Sequence, residues 1–153
     1  MSAFYYRRGK SKVYFLPAVA GANPTSGEIS AGTDLSPWVV GINGWNFTNQ
    51  RIDVPVLSSQ FVSQIAGPDT AADSSLDVAE EDQTSNPPMT VCAKGTAGFI
   101  LLAPRGLGTG KQCEVWPIIS SGVNRDWATG NNHAKAMLSF AITSPPVQTA
   151  TLP

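Results

Sequence analysis

Between Trp38 and Ile65 apolar residues recur at every second position, and that period constrains the local structure more tightly than any other feature of the chain. In "GWNFTNQRIDVPV", Trp45 and Phe47 alternate with Asn46 and Thr48, and then Ile52 and Val54 alternate with Arg51 and Asp53. "SSQFVSQI" continues with Phe61 and Ile65 on one face. Successive side chains of a strand point to opposite sides, so the pattern predicts half-buried strands with one polar face. Composition agrees. Charged residues make up 14% of the chain, well under the usual share of about 25%, while Gly and Pro abound, which describes turn-rich β structure better than a helix bundle.

The 153 residues, 42% of them hydrophobic, suit one domain with a real core. Further strands are expected in "KVYFLPA", "SSLDVAEE", "KQCEVWPIIS", "NRDWATG" and the amphipathic "AKAMLSFAIT", with "FILLAPRG" as a strand lacking any polar face. One helix of about two turns is expected in "DQTSNPPMTVCAKGTAG". There Ser85 or Asn86 caps it, Pro87 sits in the first turn, Met89, Cys92 and Ala93 share a face, and Gly95 ends it. "EISAGTDLSP" holds a single helical turn stopped before Pro37. Residues 1–11 form a loose basic arm, 12–145 the β domain and 146–153 an extended tail. Eight or nine strands against one helix make an antiparallel β-sandwich or barrel with one flanking α-helix.

The formal charge of −1 speaks against a protein that grips phosphates, because tight nucleic-acid binding needs an excess of Lys and Arg. The charges are nonetheless separated. Arg7, Arg8, Lys10 and Lys12 crowd the start, whereas Asp69, Asp73, Asp77, Glu80, Glu81 and Asp82 crowd the middle, in "IAGPDTAADSSLDVAEED". Such separation steers one copy of a chain onto another. As a calcium loop the acidic stretch fails, since the alternating oxygens and the Gly that an EF-hand requires are missing from either Asp69 or Asp73 onward. A solvated acidic turn and a cation shared between subunits are the other readings.

Catalytic chemistry has little to work with. His133, the one histidine, lies in the turn "GNNHAK". Cys92 and Cys113 lack zinc-ligand spacing and are expected as free, buried thiols. "GLGTGKQ" departs from a phosphate-binding loop at Arg105 and Gln112, so it reads as a hairpin turn. The basic start followed by "VYFLPAVAGA" imitates a secretory signal, but Tyr14 and Pro17 interrupt its apolar part and a first strand is expected instead. No run approaches the 18 apolar residues of a membrane span, and no membrane partner is expected. Trp38, Trp45, Trp116 and Trp127 are expected in core or interface rather than as a sugar platform.

The order of "GTDLS", "INGWNFTNQRIDVP", "FVSQIAGPDTAADSSL", "EEDQTSNP", "AKGTAGFILLAP", "CEVWPI" and "NNHAKAMLSFAIT" resembles the tail tube, or major tail, proteins of long-tailed bacteriophages with non-contractile tails. The likeness covers roughly residues 12–145. Its most telling parts are the turn from Gly67 to Ser74, the "SNP" before the helix and the "AKGTAG" that ends it. The resemblance implies a structural virion protein without catalytic motif or cofactor, assembled in the host cytoplasm into hexameric rings that stack as a tube. Double-stranded DNA leaves through that tube. Implied partners are further copies, a tape-measure protein in the lumen, and tail terminator and distal tail proteins at the ends.

On this reading Asp69, Asp73, Asp77, Glu80, Glu81 and Asp82 either pair across subunits with Arg7, Arg8, Lys10 and Lys12 or line the path of the DNA. A lumen through which DNA slides calls for water and weak repulsion rather than phosphate grips. The expected lining is Asn46, Thr48, Gln50, Ser59, Gln60, Ser63 and Gln64. The competing expectation is a head-decoration or surface-binding β-sandwich, which would display exposed, clustered tryptophans.

Overall fold

Ten strands and two short helices carry the chain in a computed structural model that describes residues 3–82, 86–127 and 129–153. In order they are β1 (Lys12–Leu16), α1 (Ser26–Ala31), β2 (Thr33–Asp34), β3 (Val39–Asn43), β4 (Phe47–Val54), β5 (Ser63–Ala71), β6 (Ser74–Ala79), α2 (Pro87–Val91), β7 (Ala97–Ala103), β8 (Gln112–Asp126), β9 (Lys135–Ile142) and β10 (Val147–Thr151). All pairings are antiparallel. One sheet runs β2-β1-β7-β8-β9-β6-β3, with β10 beside the first part of β8, and β4 pairs with β5 in a sheet of their own. The mainly β, antiparallel class expected from the sequence is what forms.

"FILLA" lacks a polar face because β7 is buried on both sides. Ile100 packs with Phe15, Trp116, Leu138 and Phe140 in one cluster, and its neighbour Leu101 packs with Leu16, Cys113, Val115 and Leu152 in another. Met89, Val91 and Cys92 of the α2 region cover the first cluster, while Ile29 of α1 and Ala150 of β10 cover the second. Each fully buried Leu, Ile or Phe contributes roughly 1.5–3 kcal/mol. At the far side of the sheet, β6 keeps strict alternation, with Ser74, Leu76 and Val78 inward. Leu35 N–H donates to the Val13 carbonyl and its own carbonyl accepts from Val39 N–H, which links the β1 edge to the start of β3.

Local chemistry explains where the elements depart from the periodic reading. α1 starts earlier than "EISAGTDLSP" suggests, because Thr25 and Glu28 form a reciprocal capping box. The backbone donors of Thr25 and Ala20 hold the Glu28 carboxyl below its ordinary range. Thr33 and Asp34, expected within that turn, pair with β1 instead. Asn86 stands at the α2 N-cap, but its side chain is turned away, donating to the Ala79 carbonyl and accepting from Glu81 N–H. Ser85, the other candidate cap, lies outside the described residues. α2 ends at Val91, short of Gly95, whose N–H is taken by the Ser120 carbonyl, and Ala93 is exposed rather than sharing the buried face of Cys92. "KQCEVWPIIS" and the start of "NRDWATG" are one strand, β8, joined through a bulge between Ser120 and Gly122. Residues 147–151 of the expected tail form β10.

Candidate assembly interface

β3 runs on into β4 and β5 into β6, so the β3–β6 and β4–β5 ladders are two halves of one ribbon bent at a corner. The corner is made by Gly44 and Trp45, at φ 81° and 62°. A side chain on Gly44 would collide with the Asp73 carbonyl opposite. Trp45 is the one non-glycine residue with positive φ among the described residues, and a bulky residue adopts that backbone only where its surroundings overdetermine it. They do. The Trp45 ring meets Trp116 edge-on at 5.5 Å and Phe140 at 5.8 Å. Its Nε1 donates to the Ser75 carbonyl at 3.1 Å, and its backbone N–H to Ser74 Oγ at 3.1 Å. The corner is bolted into the core by the side chain that bends it.

Past the corner, β4 and β5 pair with each other and, Phe47 at the start of β4 apart, hardly touch the other described strands and helices. The eight residues of β4 reach about 25 Å at a strand's rise. No residue of either strand is buried, so the half-buried strands expected from the alternation are exposed on both faces in a single copy. Register places Thr48, Gln50, Ile52, Val54, Ser63, Ile65 and Thr70 on one face, and Asn49, Arg51, Asp53, Gln64, Ala66 and Asp69 on the other. At the tip, Val56, Leu57, Phe61 and Val62 are all exposed, Leu57 completely. An isolated two-stranded hairpin is marginal in water, and one ending in exposed apolar side chains points to a partner surface.

The Gly67–Pro68 step, expected as a turn, lies within β5. The register shifts by one between Asn49↔Asp69 and Arg51↔Ala66, so Gln50 faces two residues and the step is a β-bulge. A bulge tolerates proline's missing donor, and Asn49 closes it by accepting from Gly67 N–H and donating to the Gly67 carbonyl.

The acidic stretch is therefore two strands and a corner, not one turn, and its carboxylates are dispersed. Asp69 lies on β5 against Asn49, Asp73 at the corner, and Asp77 on β6 beside Asn43. Glu80, ion-paired with Arg125 at 3.1 Å, lies with Glu81 and Asp82 at the other end of β6, about 23 Å along the chain from Asp73. Among the described residues no His, Cys, Asp or Glu group could hold a metal. Of the residues read as lumen-lining, Asn46 sits at the corner, Thr48, Gln50 and Ser63 share one hairpin face, Gln64 faces the other way onto Asp53, and Ser59 and Gln60 are in the tip.

Of the basic residues, Lys12 begins β1, whereas Arg7, Arg8 and Lys10 precede it, held by the turn from the Arg7 carbonyl to Lys10 and Ser11 N–H. Arg7 and Arg105 approach the Tyr5 ring at 5.7 and 5.8 Å, which ties the arm to the β7–β8 turn. Beside the arm opens a groove of about 650 Å³ with an apolar floor that includes Val39, Trp45 and Leu102. Arg7, Arg8 and Lys12 line it from β1 and the arm that leads into it, and Val40 and Ile42 line it from β3, towards the other end of the sheet order. β3 is the last strand of its sheet, so among the described residues its outer edge is unpaired. Neither this groove nor the hairpin's apolar tip was foreseen, although "VPVLSSQFV" is an unusually apolar connection.

His133 is exposed in its turn, and "GLGTGKQ" joins β7 to β8 as expected. Burial pushes the Cys92 thiol up to about 12, and burial with the nearby Glu114 charge pushes Cys113 up to about 11, so both thiols keep their protons at neutral pH. Both are free. Trp45 and Trp116 are buried in contact and Trp38 packs on the same cluster, leaving Trp127 exposed without the clustered surface that a binding module would show.

A sequence model described as phage tail tube protein matches residues 1–153. No curated protein sequence matches. Among solved structures the chain is similar to a chain of the anti-feeding prophage baseplate, solved by cryo-EM with sixfold symmetrisation, at TM-score 0.62 and 9% identity over 95% of this chain and 97% of that one. It is also similar to a chain in the tail of an empty gene transfer agent particle with C6 symmetry, at 0.55 and 14% over 97% and 100%. A third similarity is to a chain of the native gene transfer agent virion, at 0.53 and 15% over 78% and 89%. At these identities the likeness is one of fold.

Proposed function

This chain belongs to the phage tail tube protein family and is a structural component of the virion tail, and we propose that its copies close into six-membered rings that stack into a tube conducting double-stranded DNA during ejection. The observation that carries this reading is the β4–β5 hairpin, which projects from the subunit with both faces exposed and an apolar tip that none of the described residues covers. The free β3 edge adds a second surface that self-association would satisfy. Two of the similar structures carry sixfold symmetry. Identical head-to-tail contacts close where rotation returns to the start and grow a filament where it does not, so rings and stacks both follow from one kind of subunit.

The polar base of the hairpin, with Asn46 at the corner and Thr48 and Gln50 on the uncharged face, supplies the lumen lining, and Arg51, Asp53 and Asp69 project from the opposite face. A neutral, hydrated wall holds no phosphate and lets DNA pass. The dispersed acids and the basic arm steer copies together before contact. A tape-measure protein in the lumen and terminator and distal proteins at the ends complete the assembly. Electron microscopy of the purified protein tests the reading: hollow tubes or sixfold rings are expected, and discrete monomers at high concentration would overturn it.

A further inference from the structure

We infer that the tip of the β4–β5 hairpin seats in the groove between β1, β7 and β3 of a second copy of this chain. This rests on the self-assembly proposed above and adds the receptor that the hairpin requires. Every copy carries both an unpartnered apolar knob, formed by Val56, Leu57, Phe61 and Val62, and an apolar groove of about 650 Å³. The hairpin leaves its own subunit at Trp45, which lines the groove, and extends away from it, so a copy's own tip does not fill its own groove.

The two sides of the hairpin match the two sides of the groove. With the tip inserted end-on, the residues just behind it come level with the rim, and these differ by face. Ile52 and Ile65, opposite one another in the ladder and about half exposed, meet Val40 and Ile42, which are exposed to a similar degree on the outermost strand. Asp53, on the other face, meets the basic side, where Arg7, Arg8 and Lys12 outnumber Glu114. Within its own chain Asp53 is held by Gln64 Nε2 at 2.8 Å, a neutral donor, which leaves its charge available to that rim. Apolar contact supplies the affinity, and the charge pair fixes which way round the hairpin enters. The contact is heterologous, knob on one copy and hole on the next, and so propagates.

Cross-linking between full-length variants tests this directly. Phe61→Cys in one preparation and Val40→Cys in another are both at exposed positions, and the native thiols of Cys92 and Cys113 are buried, so neither fold nor background interferes. The two preparations are mixed, allowed to assemble and oxidised mildly with copper phenanthroline in air. A disulfide-linked dimer is expected at least tenfold above either variant alone and above a mixture of Phe61→Cys with Met137→Cys, an exposed position on β9 away from the groove. Asp53→Arg lowers the yield, and Arg8→Asp added in the groove partner restores it. Tubes or rings that form while Phe61→Cys joins both partners equally, or a yield indifferent to Asp53→Arg, overturn the docking and leave the tube reading intact. No assembly in the wild-type chain and no cross-link overturn both.

Discussion

Trp45→Ala should cost the isolated subunit about 4 kcal/mol, and Trp45→Gly less. Trp45 is 6% exposed and packs edge-on against Trp116. Removing a buried Trp typically costs about 3–5 kcal/mol, and such an aromatic pair is worth roughly 0.5–1.5 kcal/mol beyond its buried area. The comparison with glycine isolates the backbone. At φ 62° an alanine carries left-handed strain of about 1–2 kcal/mol, whereas glycine carries none but loses roughly 0.4–1 kcal/mol more to unfolded-state freedom. The net favours glycine by about 0.5–1 kcal/mol. Urea unfolding followed by far-UV circular dichroism, on protein too dilute to assemble, reads both effects. With a slope of about 2 kcal/mol per molar the alanine variant's midpoint falls by about 2 M. An alanine variant as stable as the glycine one, or a loss below about 1 kcal/mol, would refute the view that a core-anchored, left-handed Trp45 sets the corner.

Ile52→Asp with Ile65→Asp should leave the subunit's unfolding free energy in urea within about 0.5 kcal/mol of wild type, because both are exposed in one copy, yet abolish material that pellets on ultracentrifugation; a pellet of wild-type size would show that this face is not used. Stability should also fall at alkaline pH. Cys92 and Cys113 hold their protons in the folded state to about 12 and about 11 against an ordinary 9.0, so their contribution is full below pH 9 and is lost as pH rises through those values. Urea midpoints measured from pH 8 upward should decline beyond pH 9, and less steeply in Cys92→Ala.

What the sequence revealed follows from where the determining contacts lie. β1, β7 and β9 were legible because apolar run and period report burial within the same subunit, and Pro87 marked the start of α2 because its missing N–H is harmless there. The alternation in β4 and β5 identified strands correctly but misplaced their environment, since the same pattern serves a core face and a face that waits for another copy. The shift of apolar phase between Phe47 and Ile52 was the available sign: Phe47 turns to the core and Ile52 to the opposite face. Gly67–Pro68 reads as a turn locally, and only pairing with Gln50 makes it a bulge. The T-x-x-E of Thr25 and Glu28 is a capping box legible in the sequence, and it sets the start of α1 at Ser26, ahead of Glu28. The acidic run looked like one feature because its residues are near in sequence, but an extended backbone carries its two ends far apart.

The central claim is that a hairpin exposed in one copy is covered by others. Amide hydrogen exchange across residues 47–71, measured in dilute subunits and again in the assembled state, tests it most directly. Fast exchange is expected through the hairpin in the isolated subunit and strong protection on assembly, greatest near the tip, while β7 and β8 stay protected in both. Equal exchange of the hairpin in the two states would contradict it.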